Sequence, residues 1–169
     1  MSDPKRLVLA DPLSAEGVAI LEETGAIKVE DLSSLPREEL KRRLVGSAGL
    51  VVRSRTRADR ELIEAAEGLE VIGRAGVGTD NIDLDAATRR GVAVLNAPAG
   101  NTLSTAELTF GLLLTTARGI AEADRSMHEL RWDRGRIRGS QLSGKTLGVV
   151  GAGRIGRVVI LRAGAFGRQ

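Results

Sequence analysis

Short apolar runs return at intervals of roughly twenty residues through the first part of the chain, the spacing a strand needs when it must pass through a crossover before the next strand begins. The runs are Leu7-Val8-Leu9-Ala10, Ala26-Ile27-Lys28-Val29, Leu50-Val51-Val52, Leu69-Glu70-Val71-Ile72 and Val92-Ala93-Val94-Leu95. Helical punctuation fills the gaps. Pro36-Arg37-Glu38-Glu39-Leu40 opens a segment that stops at Gly46, and Asp83-Leu84-Asp85-Ala86 opens another that stops at Gly91. Strand, crossover, strand is the rhythm of a parallel sheet. The first, third and fifth runs are apolar at nearly every position, which predicts strands covered on both faces by helices. The expectation is an α/β, doubly wound parallel sheet over residues 1–98.

The rhythm breaks at Asn96-Ala97-Pro98-Ala99-Gly100-Asn101, where Pro98 forbids a continuing helix and a hinge is expected. Beyond it, Thr102 to Arg118 carries Leu103, Leu108, Phe110, Leu112, Leu113 and Leu114 around most of a helical circumference, which calls for burial on several sides. A further helix is expected from Ile120 to Leu130. Lys145-Thr146-Leu147-Gly148-Val149-Val150 then reads as a new strand, so residues 99–169 form a separate part.

Composition narrows the chemistry. The 169 residues include no cysteine, which removes disulfides, thiolate nucleophiles and Cys-ligated metals; no metal site is expected. Apolar residues at 42% and charged residues at 28% fit a globular chain without a membrane span, and a cytoplasmic location is the default. A net charge of +3 favours anionic ligands. Nucleic acid is not expected as a partner, since Phe110, Trp132 and Phe166 are the only aromatic residues available for stacking.

Ligands of open α/β sheets bind outside the carboxyl ends of the strands. Two loops at that rim carry arginine: Arg53-Ser54-Arg55 after the third run, and Gly73-Arg74-Ala75-Gly76-Val77-Gly78-Thr79-Asp80-Asn81 after the fourth. Gly76 and Gly78 allow successive backbone N–H groups to turn toward one point, a nest for a carboxylate, and Arg53 and Arg74 suit bidentate contact with carboxylate or phosphate. A tight turn with strand-capping arginines explains the same residues equally well. Near the other end, Gly151-x-Gly153-x-x-Gly156 follows a strand-like GVV and opens a helix, the setting in which such a turn cradles a pyrophosphate. Arg131-Trp132-Asp133-Arg134-Gly135-Arg136-Ile137-Arg138 is either an anion contact or a solvated loop.

VVRSRT, GRAGVGTDNIDLDAATRRGVAVLNAPAGNTLSTAEL and LSGKTLGVVGAGRIGR, in that order, resemble the D-isomer-specific 2-hydroxyacid dehydrogenases, and within them the branch that oxidises a phosphorylated hydroxy acid on the route to serine. The resemblance runs over nearly the whole chain. It implies a flavodoxin-like substrate domain (residues 1–98) followed by hinge helices and the beginning of a Rossmann NAD-binding domain (99–169). It also implies that Arg53 and Arg74, with the Ala75-Gly76-Val77-Gly78 backbone, hold a small anionic 2-hydroxy or 2-keto acid. Val77, Gly151, Gly153, Arg154, Ile155 and Gly156 would bind NAD, Asn101 and Ser104 would begin the hinge helix, and Arg134 would approach the substrate phosphate across a dimer.

The family's catalytic arginine, glutamate and histidine lie beyond the glycine turn, and none has a counterpart in these residues; nor does the acidic residue that grips the adenosine ribose. His128, the only histidine, is expected at the surface. The expectation is therefore an inactive front part of such an enzyme, with no catalytic residue of its own. Apolar surface left uncovered implies a homo-oligomer through the 102–118 helix, or a disordered tail after about residue 100. A non-catalytic anion-binding module, or a dimerising interaction module of the same fold, is the alternative.

Overall fold

Local sequence sets most element boundaries in the computed structural model, which describes residues 3–167. The first compact unit, Met1–Pro98, holds strands β1 (Lys5–Leu9), β2 (Ile27–Asp31), β3 (Gly49–Val52), β4 (Val71–Arg74) and β5 (Ala93–Asn96). Between them run helices α1 (Ala15–Glu22), α2 (Arg37–Leu44), α3 (Arg60–Ala65) and α4 (Leu84–Arg89). Three of these helices start on a side chain that accepts a backbone N–H: Ser14 from Gly17, Asp59 from Leu62 and Asp83 from Ala86. Such caps satisfy amides that the first helical turn cannot.

All strand pairings are parallel, in the order β2-β1-β3-β4-β5 of flavodoxin-like folds. Register aligns Val8, Leu50 and Ile72 across three strands, and all three are fully buried on the face covered by Leu44 of α2 and by Leu62 and Ile63 of α3. Their neighbours Leu9 and Val51 point to the opposite face, toward Val18 and Leu21 of α1. β1 and β3 are thus buried on both sides, as their unbroken apolar runs require.

The fifth run departs from expectation. β5 is an edge strand bonded only to β4, Leu95 is 62% exposed, and only Val94 packs on the core. The face it shares with Gly73 is covered by α1 alone, a helix without a single buried residue. An apolar run reports a strand that tolerates burial, not one that receives it.

The second unit, Ala99–Gln169, contains α5 (Thr102–Arg118), α6 (Ile120–His128), α7 (Arg154–Ala163) and a short 3₁₀ turn at Gly164–Phe166. Ala106 and Phe110 of α5 pack on Val159 and Ala163 of α7, and Phe110 stacks on Phe166 with ring centroids 5.4 Å apart. Burial reaches one side of α5 only. Leu103, Leu108 and Leu112 are 58%, 61% and 59% exposed, where the sequence pattern called for cover on several sides. Nor does the chain after residue 100 run as a structureless tail. α6 ends two residues before Leu130, which takes a left-handed conformation (φ 56°), while Arg131 N donates to Ser126 O at 2.8 Å.

The expected strand at Lys145–Val150 is absent as a strand. The segment keeps strand-like alternation, with Leu147 and Val149 against the α5–α7 cluster and Val150 fully exposed, but no described residue of this unit offers it a ladder. A strand exists only in company. No helix among the described residues is long and apolar enough to cross a membrane.

The two kinds of leucine should separate on unfolding. Leu50→Ala is expected to lower stability by about 2–5 kcal/mol through a cavity in the β1–β3–β4 core, and Leu161→Ala, at an exposed position on α7, by less than about 0.5 kcal/mol. Urea titrations of both variants followed by circular dichroism check the contrast.

Candidate functional site

The carboxyl ends of β1, β3, β4 and β5 end in loops joined by polar contacts. Asp11, two residues after the end of β1, is wholly buried, and its carboxylate organises the loop after β3. Oδ2 accepts from the Arg53 N–H at 2.6 Å and the Thr56 N–H at 3.1 Å; Oδ1 accepts from Thr56 Oγ1 at 2.8 Å and Arg55 Nε at 3.0 Å. Burial pushes the Asp11 pKa up, but these hydrogen bonds together outweigh it and hold the group below the ordinary aspartate range.

The next loop is tied to this one by Asn81, whose Nδ2 donates to Arg53 O at 2.7 Å and Thr56 O at 2.6 Å. From β5, Asn96 Nδ2 donates to Val77 O at 2.7 Å and Ala97 N to Gly76 O at 2.9 Å. The loop of residues 75–81 is therefore braced from both sides. Register places Arg74 opposite Val52, so Arg53 and Arg74 leave adjacent strands at the same rim.

Within this loop the expected nest is smaller than the glycine spacing implied. Ala75 N–H is used by Val52 O and Gly76 N–H by Arg74 O, at 2.9 and 2.7 Å. The N–H groups of Val77 and Gly78 meet no acceptor among the described residues. Gly76 serves another purpose: a Cβ there would lie 1.5 Å from Arg74 Nη1, so the missing side chain is what lets the guanidinium fold over the turn. Arg74 Nε is buried without an acceptor, and Asn81 Oδ1 is buried without a donor. Buried polar atoms left unpaired cost about 1–3 kcal/mol each, and both of these belong to the β4 loop. The Arg53 guanidinium has no partner among the described residues. Asp80 is the opposing charge, its carboxylate 2.8 Å from where a Gly78 Cβ would stand.

The glycine turn and Arg134 belong to the second unit, apart from the arginine loops in sequence and in domain. Gly151 has φ 97°, Gly153 is the cap of α7, and neither would bring a Cβ within 4 Å of any neighbour. At Gly156 a Cβ would sit 2.0 Å from Gly151 O. The third glycine thus lets the helix close on the turn, and the first two leave bare backbone, with no side-chain cap on α7, at the positive end of a helix dipole. Arg154 is exposed and Ile155 half-buried in the first turn. These residues fit a pyrophosphate. Arg134 lines a different cavity, of about 510 Å³, with Met127, Trp132 and Ile137. His128 is exposed, its Nδ1 3.0 Å from Asp124 O.

Sequence reasoning found the arginines and glycines but assigned no role to Asp11, Asn81 or Asn96. The signal for Asp11 was present: an acid closing an unbroken apolar strand has no solvent to face.

Residues 7–160 match the family model described as D-isomer specific 2-hydroxyacid dehydrogenase, catalytic domain. A D-3-phosphoglycerate dehydrogenase of Methanocaldococcus jannaschii is 50% identical over 162 residues, covering 96% of this chain and 30% of the relative. One from Rattus norvegicus is 48% identical, covering 98% and 31%. Among solved structures, a Thermus thermophilus protein superposes with TM-score 0.85 at 38% identity, covering 97% of this chain and 54% of that one. An NAD⁺-bound 3-phosphoglycerate dehydrogenase of Entamoeba histolytica gives 0.76 at 27% identity, covering 98% and 52%. The chain spans about a third of the length of these curated relatives and about half that of the solved chains.

Because the folded pKa of Asp11 is depressed, its contribution to stability is complete above the unfolded value of about 3.9 and is lost as pH falls through the lower folded value. Asp11→Asn is expected to cost about 2–4 kcal/mol at pH 7, with the gap from wild type narrowing below about pH 4. Urea titrations across that pH range check both the size and the sign.

Proposed function

The chain belongs to the D-isomer specific 2-hydroxyacid dehydrogenase family, and from that premise we propose that it carries the substrate-holding and pyrophosphate-holding parts of an NAD-dependent enzyme that oxidises 3-phosphoglycerate to 3-phosphohydroxypyruvate in serine biosynthesis. The supporting observation is the β4 loop, where a buried Arg74 Nε lacks an acceptor beside the unpartnered amides of Val77 and Gly78. A carboxylate placed there satisfies donors that already stand in position, with little reorganisation. Arg53, presented from backbone that Asp11 fixes, adds a second positive charge for a dianionic substrate.

In the second unit, the bare backbone of Gly151 and Gly153 and the first-turn amides at Arg154, Ile155 and Gly156 hold the pyrophosphate of NAD. When bound, the cofactor supplies the hydride acceptor for the 2-hydroxy carbon. These residues supply position and charge. Proton transfer needs a group within reach of the reacting oxygen, and His128, the sole histidine, lies exposed on α6 against its own helix. We therefore read these 169 residues, by themselves, as a binding unit without turnover. That exposure also favours the second reading, an anion-binding or dimerising module of the same fold.

Calorimetry with 3-phosphoglycerate should show binding that Arg74→Gln weakens by about tenfold or more. Binding of NADH should be lost in Gly156→Ala, and the purified chain should leave NADH unconsumed in the presence of 3-phosphohydroxypyruvate. Turnover would overturn the binding-only reading, and unchanged affinity in Arg74→Gln would overturn the site. Self-association is proposed through the uncovered side of α5, where Leu108 and Leu112 lie one turn apart. Sedimentation velocity is expected to show a dimer or larger species for wild type and a monomer for the Leu108→Glu, Leu112→Glu double variant.

A further inference from the structure

A cavity that the dehydrogenase reading leaves unused opens over the carboxyl end of β1, on the α2 side of the sheet. It has a volume of about 470 Å³ and lies between the β2–α2 loop (Ser33, Ser34) and the β3–α3 loop (Arg55, Arg57), with Arg37 of α2 on its wall and Ala10 at its base. Its position follows from the strand order. β1 feeds α1 on one face of the sheet while β3 feeds α3 on the other, so the loops after these adjacent strands diverge and leave a crevice, the place where open α/β sheets take ligands.

Charge in the crevice is unevenly matched. Arg55 is held by Asp11 through Nε, and its Nη2 donates to Ser33 O at 2.6 Å and Ala10 O at 3.1 Å, which leaves Nη1 unengaged. Arg37 is paired with Asp59 at 2.7 Å and donates to Arg57 O at 3.1 Å. Asp11 and Asp59 are each answered by one arginine. The Arg57 guanidinium feels the charge of Asp59 but is exposed and makes no hydrogen bond to an acceptor among the described residues, and the Ser34 hydroxyl is likewise without one. Ser33, by contrast, is engaged with Asp31.

We propose that this crevice is a second anion site, which takes the phosphate group of a small phosphorylated molecule between Arg57, the free edge of Arg55 and the Ser34 hydroxyl. A planar guanidinium fork fixed from behind by a carboxylate and two carbonyls is already set for a phosphate, so little side-chain freedom is lost on binding. The site is linked to the rim described above. Arg55 and the Arg53 N–H share the two oxygens of Asp11, at 3.0 and 2.6 Å, so an anion on the free edge of Arg55 offsets part of the positive charge that Asp11 faces and alters the bond that Asp11 accepts from the Arg53 N–H. Occupancy of one site therefore adjusts the other through a single buried carboxylate.

Amide NMR of the ¹⁵N-labelled chain tests this, with titration by inorganic phosphate and separately by glycerol 3-phosphate, which lacks the 2-hydroxy acid group, at constant ionic strength held with chloride. Saturable shifts are expected at Ser33, Ser34 and Arg57, followed by smaller shifts at Arg53. Arg57→Gln should weaken this response about tenfold while amide positions away from Asp59 stay unchanged, since that side chain makes no hydrogen bond among the described residues and its one internal interaction is the Coulombic one with Asp59. Arg57→Lys should restore part of it, and Arg74→Gln should leave it intact even if 3-phosphoglycerate binding is abolished. If only the free ion binds, the site is for inorganic phosphate; if both bind, it takes the phosphate group as such. Shifts that grow linearly without saturation, shifts confined to residues 74–79, or equal affinity in Arg57→Gln would overturn the proposal.

Discussion

Asp11 follows β1 with a charge that water does not reach, and the path of the β3 loop, to which the β4 loop is tied in turn, follows from how that charge is answered. An ionised carboxylate in the interior is tolerable only when its lone pairs are filled. Here two backbone N–H groups, a hydroxyl and a guanidinium fill them, all from residues 53–56. The β3 loop cannot take another course without stranding the charge. Its own carbonyls at Arg53 and Thr56 then anchor Asn81, Asn81 fixes one end of the β4 loop, and Asn96 fixes the middle of it through Val77 O. Order passes along the rim from strand to strand, and the unpartnered donors at Arg74, Val77 and Gly78 sit where it has already been imposed from both sides.

Sequence carried the scaffold further than the site, for a reason visible in particular residues. Strand and helix positions depend on patterns a few residues wide: the run Leu50-Val51-Val52 can only be interior, and α5 spans Thr102–Arg118 because a proline lies before it and Gly119, in a left-handed conformation, ends it. Position within the sheet is not local. Val92-Ala93-Val94-Leu95 reads much like the first run, yet β5 lies at the edge, and Lys145–Val150 has a strand's alternation without a ladder. The same limit applied to the rim. Arginine and glycine announce an anion turn by type, but the use of the Gly76 N–H by Arg74 O, and the reach of Asp11 across more than forty residues to Thr56, are products of the fold.

Cover is uneven on the two faces of the first unit. Three helices close the face that holds Val8, Leu50 and Ile72, and α1 alone rests on the face of Leu9 and Val51. The rim loops inherit this asymmetry. Those that descend to α2 and α3 are stitched by Arg37, Arg55 and Asp59, whereas the β5 side relies on Asn96 and the Ala97 N–H. Hydrogen bonds are densest around Asp11 and thin out toward Leu95, so Arg53 is the arginine whose backbone N–H and C=O are both tied, and Arg74 owes its place to the absence of a side chain at Gly76.

Holding an anion and transforming it make different physical demands. Retention needs donors fixed before the ligand arrives, and these come from backbone, glycine and arginine groups whose charge state does not change near neutral pH. Chemistry at a hydroxyl needs a group that gives and takes a proton within hydrogen-bond reach of the reacting oxygen. In these residues the fixed donors are gathered at strand ends and helix starts, where the fold supplies N–H groups without further cost in conformational freedom, while His128 leans on the carbonyl of its own helix one turn back. The donors left open are thus supplied by the architecture itself, at strand ends and at a helix start, rather than by titratable side chains.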